Sequence, residues 1–525
     1  MKESSIMEEL KSLTARLKME IGKQILTSYP VIPPYAYVVI YNDPATGRKF
    51  YEVVEPPLNE DENQKLRLIS NILMNEIDVE FSELTTKEER ASYLKKKVQE
   101  IIKKYRIPVS EESLKKILYY VERDFAGLGK IEPLMCDDEI EDISCDGPGI
   151  PVYVWHRRYE SMPTNVIFES AEELDAFVIK LAQRCGKYIS IAQPLLDASL
   201  PDGSRVQITF QKEVTLRGST FTIRKFRRDP FTIVDLIKLG TLSSEMAAYY
   251  WLCIENRMSI LVAGGVAAGK TTLLNCLAMF IPPDFKIVSI EDTPELNLPT
   301  EHWIQSVARP GYGEKTPTGE RRGEISMFEL LKAAVRQRPD YIIVGEIRGE
   351  EAYVMFQAMA TGHLGMATIH AEDYYAVINR LQSRPMNIPK SLLVTLDLIA
   401  IQRKVRTKDG RMARKNIKIH EIVGLDQTSD ELLQNVVYEW DAIEDEFKYT
   451  GRSYKLEAIM KTRGMSETEV FDELERRRTV LEWMVAKNIR RYVDVASIIR
   501  KYYADPDRVY MTAVRELGSA PGGKS

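Results

Sequence analysis

The stretch GGVAAGKTT, Gly264 to Thr272, decides how this chain is read. Gly264-x-x-x-x-Gly269-Lys270-Thr271 follows the spacing of a phosphate-gripping loop. Its flanks supply what such a loop needs. SILVA before it is a short apolar run of strand length, and TTLLNCLAMF after it has the pattern of an amphipathic helix. The spacing therefore predicts strand, loop and helix in that order. Loop amides and a helix N-terminus present N–H groups and a positive dipole end to phosphate oxygens. Gly264, Gly265, Val266, Ala267, Ala268, Gly269, Lys270, Thr271 and Thr272 are thus the nucleotide-binding candidates, with ATP and Mg2+ as the expected cofactors. Lys270 would neutralise the β- and γ-phosphates, and the Thr271 hydroxyl would coordinate Mg2+. The apolar middle, Val266-Ala267-Ala268, keeps its amide donors. A positive φ at Ala267 would strain the loop by about 1 kcal/mol.

Composition bounds the rest. A chain of 525 residues is long enough for two to four domains. With 44% hydrophobic and 28% charged residues it belongs among folded proteins. A net charge of −5 argues against bulk attraction to nucleic acid. Cys136, Cys145, Cys185, Cys253 and Cys276 are scattered without a C-x-x-C pair. That spacing points away from a disulfide framework or structural zinc and toward a reducing compartment. The opening MKESSIMEELKSLTARLK lacks the apolar core of a signal peptide, and no uncharged apolar run reaches about 18 residues. A cytoplasmic chain is expected, meeting a membrane peripherally or through a partner.

Residues 3–26 read as an amphipathic helix, with Ile6, Leu10, Leu13, Leu17, Ile21 and Ile25 at helical spacing. It reads as a packing helix or, given its lysines, as a membrane-surface helix, so residues 1–30 are candidates for peripheral membrane contact. A β-hairpin follows around the turn NDPATGR, then charged helices over 62–126. From residue 127 the chain becomes mixed α/β. The predicted organisation is an N-terminal helical and hairpin segment (1–110), an α+β domain (111–225), a linker or hinge (226–240) and an α/β nucleotide domain with C-terminal helices (241–525). Short apolar strands alternating with helices after the linker predict a mostly parallel sheet covered on both faces.

Hydrolysis needs a group to activate water. YIIVGE ends in Glu346, about 75 residues past the lysine, which makes Glu346 the candidate base. Gly345 stands where many nucleotide hydrolases carry a magnesium-binding aspartate. KIVSIEDTPEL offers Glu291, Asp292 and Glu295 for that task. His370 closes the predicted strand MATIH and would sit near the γ-phosphate, as a phosphate sensor or a structural hydrogen bonder. His363 is open between similar roles. Ser326 and Glu329 read as a capping box with no catalytic role.

GGVAAGKTT, SIEDTPEL, YIIVGEIRG and ATGHLGMATIHA occur in the order seen in the secretion-superfamily ATPases, and the chain resembles that family over roughly residues 115–475. The match is most similar to the archaellum motor branch, and the tetracysteine insert of many type II secretion relatives is missing. The resemblance implies a RecA-like nucleotide domain and a hexamer with ATP between domains and between neighbours. It also implies a membrane platform protein as partner, a position at the inner face of the cell membrane, and phosphate-reaching arginines from the N-terminal half. Arg205, Arg217 and Arg224 are the candidates. A basic hairpin at 403–418, with eight basic residues and one acid, suggests a solvated hairpin or subunit contact. Tracking along nucleic acid is the rival, and the hairpin lacks aromatic residues for stacking bases. No nucleic-acid partner is expected.

Overall fold

The computed structural model describes residues 24–44, 46–76, 87–226, 230–309, 311–315, 321–407 and 412–518. The chain divides into two compact units, Met1–Arg227 and Arg228–Ser525.

The first unit is built on a nine-stranded sheet. Its strands are β1 (Gln24–Ile32), β2 (Ala36–Asp43), β3 (Arg48–Val54), β4 (Ile140–Cys145), β5 (Pro151–His156), β6 (Glu160–Ile167), β7 (Leu195–Ser199), β8 (Arg205–Thr209) and β9 (Thr220–Arg224). They lie in the order β1-β2-β3-β6-β5-β4-β9-β8-β7. The expected hairpin is the β2–β3 arm of a three-stranded meander. The helix expected over 3–26 falls mostly outside the described residues. Where it overlaps them, from Gln24, the chain is strand instead. The reason is local: QILTSYPVI pairs along its length with β2 and adds Leu26, Tyr29 and Val31 to the core. Helices Lys87–Lys104 and Glu111–Val121 share one apolar cluster through Leu94, Val98, Ile101, Ile117 and Val121. The segments expected as 1–110 and 111–225 thus meet in one sheet and one helical layer.

In the second unit the parallel strands follow the expected pattern. They are β10 (Ile260–Gly264), β11 (Ile287–Glu291), β12 (Trp303–Val307), β15 (Tyr341–Val344), β16 (Leu364–His370) and β17 (Leu398–Arg406), with a separate antiparallel ribbon of β13 (Tyr312–Lys315) and β14 (Arg321–Arg322) after β12. β12-β11-β15-β16-β10-β17 are parallel neighbours. An antiparallel extension continues from β17 through β18 (Met412–Asp426), β19 (Glu431–Asp441) and β20 (Glu446–Tyr449).

β10 explains why the sheet is two-faced. All five of its residues are buried. Ile260 and Val262 join one core, with helices Ser244–Glu255, Lys270–Ala278 and Glu467–Ala486. Leu261 and Ala263 join the other, with helices Met327–Arg336 and Glu351–Ala360. Alternation of side chains along a strand buried on both faces requires this continuous apolar sequence. Of the linker expected over 226–240, residues 227–229 lie outside the described residues. Ile233–Lys238 form a helix opened by a Thr232–Asp235 capping box, with Ile233 and Val234 in the core of the second unit. Among the described residues, no helix is long and apolar enough to cross a membrane.

Candidate nucleotide site

Parallel strands deliver their C-terminal ends to one edge of the sheet, where α/β folds build ligand sites. Gly264 ends β10 there, in register with His370 of β16 on one side and Gln402 of β17 on the other. The approach to β17 is close: a Cβ on Gly264 would lie 2.3 Å from the Gln402 carbonyl oxygen. The chain then turns through the loop. Ala267 adopts φ +56° and Gly269 φ +87°, so the strain anticipated at Ala267 is present. Helix Lys270–Ala278 starts directly after Gly269 with no side-chain cap. Its first amides therefore have no capping side chain, as an anion-binding helix start requires.

Lys270 is buried, donates to the Gly265 carbonyl at 2.9 Å and lies 3.4 Å from His370 Nδ1. His370 Nε2 in turn lies 3.3 Å from Glu346 Oε1. An ammonium can only donate, so Nδ1 accepts and the neutral ring carries its proton on Nε2, toward Glu346. Burial and the Lys270 charge hold the His370 pKa below the ordinary histidine value. Glu346 Oε2 accepts from Arg348 at 2.5 Å. Burial pushes the Glu346 carboxyl up, but the Arg348 hydrogen bond and charge, with the Lys270 charge, outweigh it and hold it below the usual range. Glu346 Oε1 is buried without an aligned donor among the described residues, the 3.3 Å to His370 being a poorly directed approach. The result is an ionised carboxylate with one oxygen uncommitted, beside a neutral imidazole and a lysine.

Glu291 ends β11, as its sequence suggested. It is buried, and Oε1 accepts from the backbone N–H of Glu295 and Leu296 at 2.8 and 2.9 Å. Oε2 accepts from Gln305 at 3.0 Å. Burial pushes its pKa up against these bonds. Its carboxylate folds the DTPEL turn back on the end of β11, with both oxygens accepting hydrogen bonds. Asp292 is half-exposed and lies 3.5 Å from Arg348. Among the described residues, no group of three or more His, Cys, Asp or Glu side chains is placed to hold a metal.

The glycine before Glu346 follows from this packing. A Cβ on Gly345 would stand 3.2 Å from Glu291 Cγ, closer than ordinary contact. An aspartate there would press on the buried glutamate. Gly345→Ala is expected to lower stability by about 1–3 kcal/mol through this overpacking. Denaturant midpoints of the two proteins check it, and equal midpoints would mean that Glu291 yields freely.

His363 bonds the Pro339 carbonyl at 2.8 Å and takes no part in this cluster. Ser326 and Glu329 form a complete capping box for Met327–Arg336, as expected. Arg205 and Arg224, in the first unit, stand opposite each other on β8 and β9, both exposed. Arg205 pairs with Asp197 at 3.3 Å, and Arg217 sits exposed in the loop between β8 and β9. Two residues near the loop escaped sequence reasoning. Gln402 brings its side-chain amide beneath Gly269, and Arg414 of β18 donates to the Ala267 carbonyl at 3.0 Å. The only signal was the basic hairpin, whose position beside β10 depends on long-range strand order.

Residues 126–519 match the family described as type II/IV secretion system protein. The chain belongs to this family. The match agrees with the resemblance carried by the four motifs around the site. A Methanocaldococcus jannaschii relative of this secretion-system chain, an uncharacterized protein, is 38% identical over 500 residues, 90% of this chain and 88% of its own. The type IV secretion system protein PtlH of Bordetella pertussis is 32% identical over 327 residues, 55% of this chain and 92% of its own. Among solved structures, the Legionella pneumophila ATPase DotB is 16% identical with a TM-score of 0.42, covering 74% of this chain and 94% of DotB.

Proposed function

We propose that this type II/IV secretion system protein is a Mg-ATP-hydrolysing motor that works as a hexamer on a membrane platform protein, driving archaellum assembly, rotation or both. The observation that supports it most is the line Lys270–His370–Glu346 beside an uncapped helix start. In this reading the loop amides hold the phosphates, and Lys270 neutralises charge that develops on them. Thr271, at the second position of the helix, offers its hydroxyl to Mg2+, which when bound would screen the phosphate oxygens. The donors present fit a cation shared with the nucleotide's own phosphates, since the nearby acid Glu291 is engaged elsewhere. Glu346 takes a proton from water through its uncommitted Oε1 as that water attacks the γ-phosphorus and the bond to ADP breaks. His370, neutral, fixes the distance between Lys270 and Glu346. Arg205, Arg217 and Arg224 are the candidates to reach a phosphate from the first unit, with 226–240 as the hinge. Sequence similarity to PtlH favours a second machine for the same motor, a secretion or pilus apparatus.

Two measurements test the proposal. The purified chain with Mg-ATP should release inorganic phosphate, and no release overturns the hydrolase reading. Sizing with a non-hydrolysable ATP analogue should show a shift to a ring, and a lasting monomer removes the hexamer.

A further inference from the structure

The phosphate loop poses a question that its own residues do not answer. Ala267 is a non-glycine residue at φ +56°, and the residue before it, Val266, is 83% exposed. Neither side chain packs in a way that would hold the left-handed turn. Such conformations persist only where the surroundings over-determine them. Here the surroundings come from the β17–β18 hairpin, more than 130 residues along the chain. At the loop's start, the Gln402 carbonyl closes on Gly264 so tightly that a Cβ would not fit. At its apex, Arg414 Nε donates to the Ala267 carbonyl at 3.0 Å. At its end, the Arg414 Cδ would lie 3.2 Å from a Cβ on Gly269, and Gln402 Nε2 3.7 Å from it. Gln402 is buried, and its Oε1 has no hydrogen-bond partner among the described residues. Start, apex and end of the loop are thus all held by one hairpin.

We propose that Arg414 is a positioning residue for nucleotide binding: through its Nε donation to the Ala267 carbonyl it holds the loop apex in the left-handed turn that aims the loop amides at phosphate. The inference rests on the nucleotide-binding reading of this loop. It gives the basic hairpin a role in tuning affinity for the nucleotide, separate from any contact with nucleic acid. Proton transfer lies elsewhere, at Glu346, so losing Arg414 should weaken binding and spare the chemical step.

Side-chain geometry provides a sharp test. Gln carries an amide nitrogen the same number of bonds from the backbone as Arg Nε, without the charge. Met places a methyl group there, keeping the stem over Gly269 without a donor. Binding of a fluorescent ATP analogue should weaken about tenfold in Arg414→Met, as for loss of a charge-assisted hydrogen bond, and stay within about twofold of wild type in Arg414→Gln. KM for ATP should follow the binding constant, with kcat within about twofold. In an Ala267→Gly background, where the left-handed turn has no Cβ penalty, Arg414→Met should lose less than half as much affinity on a logarithmic scale. Wild-type affinity in Arg414→Met overturns the proposal. Equal loss in Met and Gln overturns it too, because the guanidinium charge would then act on the nucleotide directly. Undiminished loss in the Ala267→Gly background does the same. Lys270→Ala separates the underlying reading. If it binds the analogue as tightly as wild type, the loop is not the nucleotide site and both claims fall. If Lys270→Ala loses binding while Arg414→Met keeps it, only the positioning role fails.

Discussion

Glu346→Gln is expected to bind ATP about as tightly as wild type and to hydrolyse it about 10²- to 10⁴-fold more slowly, the usual contribution of a positioned general base. The substitution is nearly isosteric. It keeps an oxygen for Arg348, which reaches Glu346 Oε2 at 2.5 Å, and leaves the phosphate loop untouched. What it removes is basicity at Oε1, the oxygen without an aligned donor among the described residues. Binding by equilibrium titration and turnover by phosphate release separate the two effects. Normal turnover would transfer the role of base to another group. The same site makes a pH statement. Glu346 is held below the usual carboxylate range, so it is ionised at neutral pH and stays so until the pH falls through that lowered value. His370 is held below the ordinary histidine range, so it stays neutral down to its own lowered value. On the acid side, turnover should therefore persist through the pH range in which an unperturbed histidine, near about 6.5, gains its proton. A rate that halves at that ordinary value would mean that burial and Lys270 do not hold His370 neutral in the working enzyme.

Local features of this protein were legible because their causes are local. Gly264–Thr272, its strand and its helix are set by apolar periodicity and by glycine backbone freedom within a short span of chain. Ser326 and Glu329 cap their helix with residues three apart. Glu291 illustrates the limit. Its position after an apolar strand marked it as an acid at the site, but its partners are amides of Glu295 and Leu296, and only folding of that turn reveals that its oxygens are engaged. Gly345 stands where many nucleotide hydrolases carry an aspartate, and in the fold Glu291 Cγ packs 3.2 Å from where its Cβ would be. Arg414 is 147 residues from Ala267. Composition showed a basic hairpin. No spacing rule could show that β17 adds to β10 in parallel and brings the next strand over the loop. The helix expected through residue 26 failed over residues 24–26 for a related reason. The helical periodicity there continues from the preceding residues, while the strand pairing depends on β2.

Gly264→Ala should be the most damaging small substitution in the second unit. An added Cβ would sit 2.3 Å from the Gln402 carbonyl oxygen and 3.2 Å from the Ala268 Cβ. The first of these is backbone, so no rotamer change relieves it. β17 is paired to β10 on one side and to β18 on the other, and retreat of Gln402 would disturb both pairings. Overpacking of this kind costs about 3 kcal/mol, the upper end of its usual range. Against a total stability of about 5–15 kcal/mol, that is a large share. The damage also spreads along the loop, since Gln402 and Arg414 hold both of its ends. Nucleotide binding should weaken together with the denaturant midpoint, whereas Gly345→Ala should lower the midpoint chiefly through Glu291. Gly265→Ala is the matched control. Its Cβ would meet only the tip of the Glu372 side chain, at 3.6 Å, which can swing away. That variant should stay within about 0.5 kcal/mol of wild type, as for a substitution clear of packed backbone. If both alanines unfolded at the wild-type midpoint, β10 and β17 would not approach as closely as the loop's clamp requires. If both were equally damaging, the cost would come from lost glycine flexibility and not from the strand contact. The difference between adjacent glycines therefore measures the contact between β10 and β17 on which the shape of the loop depends.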